Sequence, residues 1–80
     1  MTCEYDHYKE SEELITMLHG TRFQSYGSAL QAAMDNGVTG TEIFMALRWN
    51  LERLLNEQSC SDLVRAKAKR LLEELDKALR

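Results

Sequence analysis

The sequence predicts an all-α protein: a compact four-helix domain with a long C-terminal antiparallel helical hairpin. Three observations predict it. The 80 residues contain no proline and only four glycines, so the chain has few places at which a helix must break. Apolar residues recur at steps of three and four through most of the sequence. Capping and stop signals divide that pattern into four pieces.

The first helix is expected over about residues 6–19. Leu14, Ile15 and Leu18 form its apolar stripe, continued toward the N-terminus by Tyr8 or Ser11. Gly20 suits the left-handed residue that closes a helix. The second is expected over about residues 25–36, where Tyr26, Ala29, Leu30, Ala33 and Met34 fall at i, i+3, i+4, i+7 and i+8. Asn36-Gly37 is its stop signal.

The third is expected over about residues 40–57. Thr39 and Glu42 have the spacing of a capping box, in which the hydroxyl accepts from one free N–H and the carboxylate from another. Val38 and Ile43 flank the cap at the spacing of a hydrophobic staple. The fourth, over about residues 61–79, follows the polar link Gln58-Ser59-Cys60-Ser61, with Ser59 or Ser61 as its cap. Val64, Ala68, Leu71, Leu75 and Ala78 step by four, three, four and three, a coiled-coil-like seam that Leu72 and Leu79 widen. Lys69 with Glu73, Arg70 with Glu74 and Glu73 with Lys77 are spaced to pair on its exposed side. The short link between helices three and four predicts the hairpin, with helices one and two covering its open side. A chain of this length makes a single domain, residues 1–80, and must pack well to be stable.

The net charge is −3, from 13 acidic and 10 basic residues, which argues against nucleic acid as the main partner. Acids crowd the N-terminal part (Glu4, Asp6, Glu10, Glu12, Glu13) and bases the C-terminal part (Arg65, Lys67, Lys69, Arg70, Lys77, Arg80), so the sequence is dipolar. Two cysteines, Cys3 and Cys60, are too few for a disulfide scaffold, and no secretory signal or membrane-spanning segment is evident. The expectation is a cytoplasmic protein without membrane contact.

Helix three holds more apolar surface than one stripe accommodates. At about 100° per residue, Ile43, Phe44, Leu47, Leu51, Leu54 and Leu55 share one broad side, while Met45 and Trp49 lie nearly opposite, among Glu52, Arg53 and Asn56. Two readings remain open here. Helix three is buried from both sides by its neighbours, or Met45 and Trp49 form an exposed patch rimmed by charge, of the kind that anchors a protein partner.

Other chemistries find less support. Ala33, Gly37 and Ile43 have roughly helix-turn-helix spacing, but the leading face of helix three offers Thr41, Glu42, Met45 and Trp49 rather than base-reading Arg, Asn or Gln. Cys3, His7 and His19 fall short of a zinc ligand set. There is no glycine-rich phosphate loop, no HExxH and no assembled nucleophile set, so neither catalysis nor a cofactor or metal is expected. The acids Glu10, Glu12 and Glu13 are either a solvated face or a docking site for a cationic partner. The cationic face of helix four, Arg65, Lys69 and Arg70, reads first as solvated, with phosphate or RNA contact as the lesser alternative.

The segment GVTGTEIFMALRWNLERLL, residues 37–55, resembles a stretch of the small helical immunity proteins encoded beside bacterial contact-dependent growth inhibition toxins. The likeness is carried by Thr39, Gly40, Thr41, Glu42, Leu47, Arg48 and Trp49 and covers about a quarter of the chain. It implies a function: binding a cognate toxin domain, commonly a basic nuclease, and occluding its active site. Such a protein needs a rigid surface and no chemistry of its own. The expected partner-binding residues are Glu10, Glu12, Glu13, Met45, Trp49, Glu52 and Arg53. The alternatives are a helical adaptor or secretion chaperone, a homodimeric interaction module, and a small DNA-binding regulator. The sequence leaves the oligomeric state open.

Overall fold

Three of the four helices start where a side chain takes over a free backbone N–H. In the computed structural model, which describes residues 5–80, the order is α1 (His7–Leu18), α2 (Gln24–Asn36), α3 (Gly40–Leu55) and α4 (Asp62–Leu79). Asp6 accepts from the Lys9 N–H at 3.0 Å, Thr39 from Glu42 at 3.1 Å and Ser61 from Val64 at 3.3 Å. Ser61, not Ser59, is therefore the cap of α4. Only α2 lacks a side-chain cap. Its entry is held by Thr21, whose hydroxyl donates to the Leu18 carbonyl and accepts from the Phe23 N–H. Cys3 and Glu4, named above, lie outside the described residues.

The four helices form a ring. α1 packs on α2 and α4, and α3 packs on α2 and α4, so α1 and α3 stand at diagonal corners. The start of α4 lies beside the end of α3, where Arg65 donates to the Leu55 carbonyl at 2.9 Å and to the Glu57 carbonyl. Near the other end of α4, Asp76 accepts from Arg48 of α3 at 3.2 Å. Leu14 and Leu18 of α1, Leu30 of α2, Leu47, Leu51 and Leu54 of α3 and Val64, Ala68, Leu71 and Leu75 of α4 meet in one core. Cys60 of the α3–α4 link is buried beside them, and burial raises its thiol pKa. Burying each leucine stabilises the fold by about 1.5–3 kcal/mol. Two polar residues are buried with them. Ser11 donates to the His7 carbonyl at 2.7 Å and Asn50 to the Ala46 carbonyl at 2.9 Å, so each is satisfied within its own helix.

Several local expectations change. Ser11, not Tyr8, continues the α1 stripe inward; Tyr8 is exposed. Helices α1 and α3 end earlier than their apolar patterns suggest, at Leu18 and Leu55. Gly20 closes α1 with φ +77, as its position predicts. Gly37 has an ordinary extended backbone, so its role is space: a Cβ there would overlap the Ile43 side chain. That packing replaces the expected staple. Ile43 lies over the bare backbone of Gly37, and Val38 is left 86% exposed. The Glu42 carboxylate accepts from the Val38 N–H at 3.3 Å, completing the cap. On α4, Ala78 is exposed, and Lys77 turns to Glu74 at 3.3 Å rather than to Glu73. Arg70 does pair with Glu74, at 3.2 Å, but Lys69 and Glu73 form no pair.

Two glycines separate space from propensity. A Cβ at buried Gly27 of α2 would meet only ordinary contacts, the nearest at 3.6 Å. Gly27→Ala should therefore raise stability by about 0.5–1 kcal/mol through helix propensity. Gly37→Ala should lower it by about 1–3 kcal/mol, because Ile43 must move. Urea denaturation of both variants checks the opposite signs. In the same assay Thr39→Ala should cost about 0.5–2 kcal/mol.

Candidate functional site

α3 is the element whose period cannot be satisfied by the core alone. Leu47, Leu51 and Leu54 take the inward arc and are fully buried. Trp49 lies about 200° round the helix from both Leu47 and Leu51. It is 58% exposed, and Met45, one turn earlier on the same face, is 51% exposed. The Arg53 guanidinium, one turn later, lies 4.7 Å from the Trp49 ring centroid. Of the two readings of helix three, the exposed patch is the one the structure has. Glu52 is exposed beside it and makes no ion pair among the described residues.

The patch continues across the seam between α3 and α2. Arg53 also stands over the Tyr26 ring, at 5.8 Å. Tyr26 is fixed by the hydrogen bond that its hydroxyl donates to Glu57 Oε2, at 2.7 Å. That bond, then burial and the Glu57 charge, hold the Tyr26 phenol above its ordinary range near 10.0. Phe23 lies 6.3 Å from Tyr26, and Arg22 stands 5.6 Å over Phe23. Arg22, Phe23, Tyr26, Arg53 and Glu57 line a groove of about 380 Å³. These α2-side residues were not singled out by sequence. Tyr26 reads as one more member of the α2 stripe, and Arg22 and Phe23 fall in a turn with no periodic signal.

The acidic α1 residues are placed elsewhere. Glu10 is half-buried and accepts from Lys67 of α4 at 2.6 Å, and Glu13 accepts from the same ammonium at 2.9 Å. Only Glu12 of the three has a solvated, unpaired carboxylate among the described residues. Glu10 and Glu13 lie on the α1–α4 seam, whereas Trp49 and Arg53 face the α2–α3 seam on the other side of the ring. The expected partner-binding set therefore divides into two separated groups. The cationic face of α4 is partly structural as well. Arg65 holds the carbonyls at the end of α3, and Arg70 stands over the Tyr5 ring and pairs with Glu74.

A second groove, of about 410 Å³, lies between α1 and α2 and is lined by Ile15, His19, Gln24, Gly27 and Gln31, among others. Its rim presents amides, the His19 imidazole and one carboxylate, Asp35, with no Phe, Tyr or Trp. His7 and His19 sit at opposite ends of α1, and among the described residues no group of three metal-ligating side chains comes together. No helix of the described residues is long and apolar enough to cross a membrane. Comparison with family models, with curated proteins and with solved structures finds no match to this chain.

The Lys67 bridge makes a pH-dependent contribution. The hydrogen bond from Lys67, then its charge, lowers the Glu13 pKa below 4.5. Bonds to Glu10 and then Glu13, outweighing burial, raise the Lys67 pKa above 10.5. A depressed carboxyl stabilises above its unfolded pKa, and that stability is lost as pH falls through the folded value. A raised amine stabilises below its unfolded pKa, and that stability is lost as pH rises through the folded value. Lys67→Gln should melt lower than the parent at neutral pH. The gap should close as the pH falls through the depressed Glu13 range, which thermal melts across pH would show.

Proposed function

We propose that this chain is a protein-binding module that works through the outer face of α3, and that its partner is the cognate toxin domain of a bacterial contact-dependent system. On this reading it neutralises the toxin by covering its active site and catalyses nothing itself. One observation carries the proposal. Trp49 and Met45 are both more than half exposed, adjacent on one helix face, with Arg53 stacked against the indole. The core is complete without them. Tryptophan and arginine dominate binding hot spots, and methionine adapts to irregular partner surfaces. The resemblance to immunity proteins covers residues 37–55, which is this same helix with its entry.

The same face supports a protein partner over duplex DNA. Its polar members Glu42 and Glu52 would meet phosphates with like charge, and it offers few groups suited to base edges. A basic nuclease would find its complement in Glu42 and Glu52 of the α3 face. A helical adaptor would hold a partner helix on the same patch. A growth assay separates the two, because only an immunity protein rescues cells expressing the adjacent toxin gene.

The test is co-expression with the product of the neighbouring gene, followed by affinity measurement. Trp49→Ala should weaken partner binding by about 2 kcal/mol or more, as a hot-spot residue does. Its effect on folding stability should stay within about 1 kcal/mol, because the ring is largely outside the core. A Trp49→Ala variant that binds the partner with parent affinity, or that fails to fold, would remove the α3 face from this role.

A further inference from the structure

We infer that the α2–α3 seam makes this face a receptor for a carboxylate-bearing segment of the partner protein: an aspartate or glutamate taken by Arg22 and Arg53, beside an apolar side chain laid over Met45 and Trp49. The inference rests on the reading of α3 as a protein-binding face and names the chemistry of what binds there.

Two arginines of this face carry charge that is unmatched among the described residues. Arg48, Arg65 and Arg70 each have an oxygen partner within the fold. Arg22 and Arg53 have none among the described residues. Instead, each guanidinium stands over an aromatic ring: Arg22 over Phe23, Arg53 over Tyr26 and Trp49. A guanidinium attracted to an aromatic face keeps its N–H donors open. A planar donor set of that kind matches a carboxylate in two parallel hydrogen bonds. Both arginines line the same groove, where the one acid, Glu57, is already bonded to the Tyr26 hydroxyl.

The size of the charge defines the occupant further. Glu57 lies in the groove, and Glu42 and Glu52 project from α3. A polyanion such as single-stranded RNA would run against all three carboxylates, whereas a single side-chain carboxylate meets at most Glu57, whose Oε2 already accepts from the Tyr26 hydroxyl. The exposed methionine and tryptophan require an apolar neighbour on the bound segment. An acidic residue within a few positions of a leucine or aromatic residue satisfies both ends of the surface.

The experiment pans a random peptide library displayed on phage against the folded chain, then against Arg22→Gln/Arg53→Gln and Trp49→Ala. The enriched peptides should carry Asp or Glu close to Leu, Phe or Trp. They should lose about tenfold or more in affinity on the double arginine variant, and synthetic versions with Asn or Gln at the acidic position should lose a similar factor. Both arginines are exposed, so circular dichroism should show the variant folded, and each single substitution repeats the test if the double one does not fold. Failure to enrich any peptide, enrichment of basic or uncharged peptides, or tighter binding of oligouridylate than of the acidic peptides would overturn the inference. Peptides sensitive to Trp49→Ala but not to the arginine changes would also overturn it, while leaving the protein-binding face intact. Peptides indifferent to all three substitutions would remove both.

Discussion

The structure depends on which arc of α3 faces inward. Leu47, Leu51 and Leu54 fill the centre of the ring, between α2 on one side and α4 on the other. A helix can turn only one arc toward a core. Once those three leucines are placed, Met45 and Trp49 are outside, because they lie on the opposite face of the same helix. The exposure of a large aromatic side chain is therefore a consequence of packing and not a defect in it. What the fold adds is a neighbour: α2 brings Tyr26 beside Arg53, so that the outer face of α3 continues into a groove.

Charge is arranged by the same topology. The sequence separates acids at its beginning from bases at its end, and the ring brings α1 against α4. Lys67 then takes both Glu10 and Glu13, and Arg65 and Arg70 are drawn into contacts with carbonyls, an aromatic ring and Glu74. Much of the sequence's dipolar character is consumed in holding helices together. Arg22 and Arg53, which lie beside aromatic rings without an oxygen partner among the described residues, are at the opposite seam. Surface charge in this protein is set by which helices are neighbours more than by where acids and bases cluster in the chain.

The parts legible in the sequence are those governed by one helix at a time. The cap Thr39, the left-handed Gly20 and the leucine stripes of α1, α3 and α4 need only local spacing to be read, whereas spacing alone does not choose Ser61 over Ser59. The two faces of α3 were also legible, although which of two packings they served was not, since exposure depends on how many neighbours a helix has. The Val38–Ile43 staple did not form: Ile43 lies over the bare backbone of Gly37, and Val38 is left in solvent. The acidic run on α1 read as a solvated or a docking face because Lys67, the partner of Glu10 and Glu13, stands 57 and 54 residues away in sequence. Tyr26 gave no signal beyond its place in a stripe; its role comes from Arg53 and Glu57 of another segment.

The central claim is that the folded, unbound chain presents Trp49 to solvent as a ready-made surface. Trp49 is the one tryptophan in the sequence, so its fluorescence reports on that face alone. Acrylamide quenching of the native protein is the direct measurement. Quenching in the folded state should approach that of a free tryptophan amide and change little when the chain is unfolded in urea. A blue-shifted emission, shielded from acrylamide until the helices melt, would place the indole in the core and contradict the account.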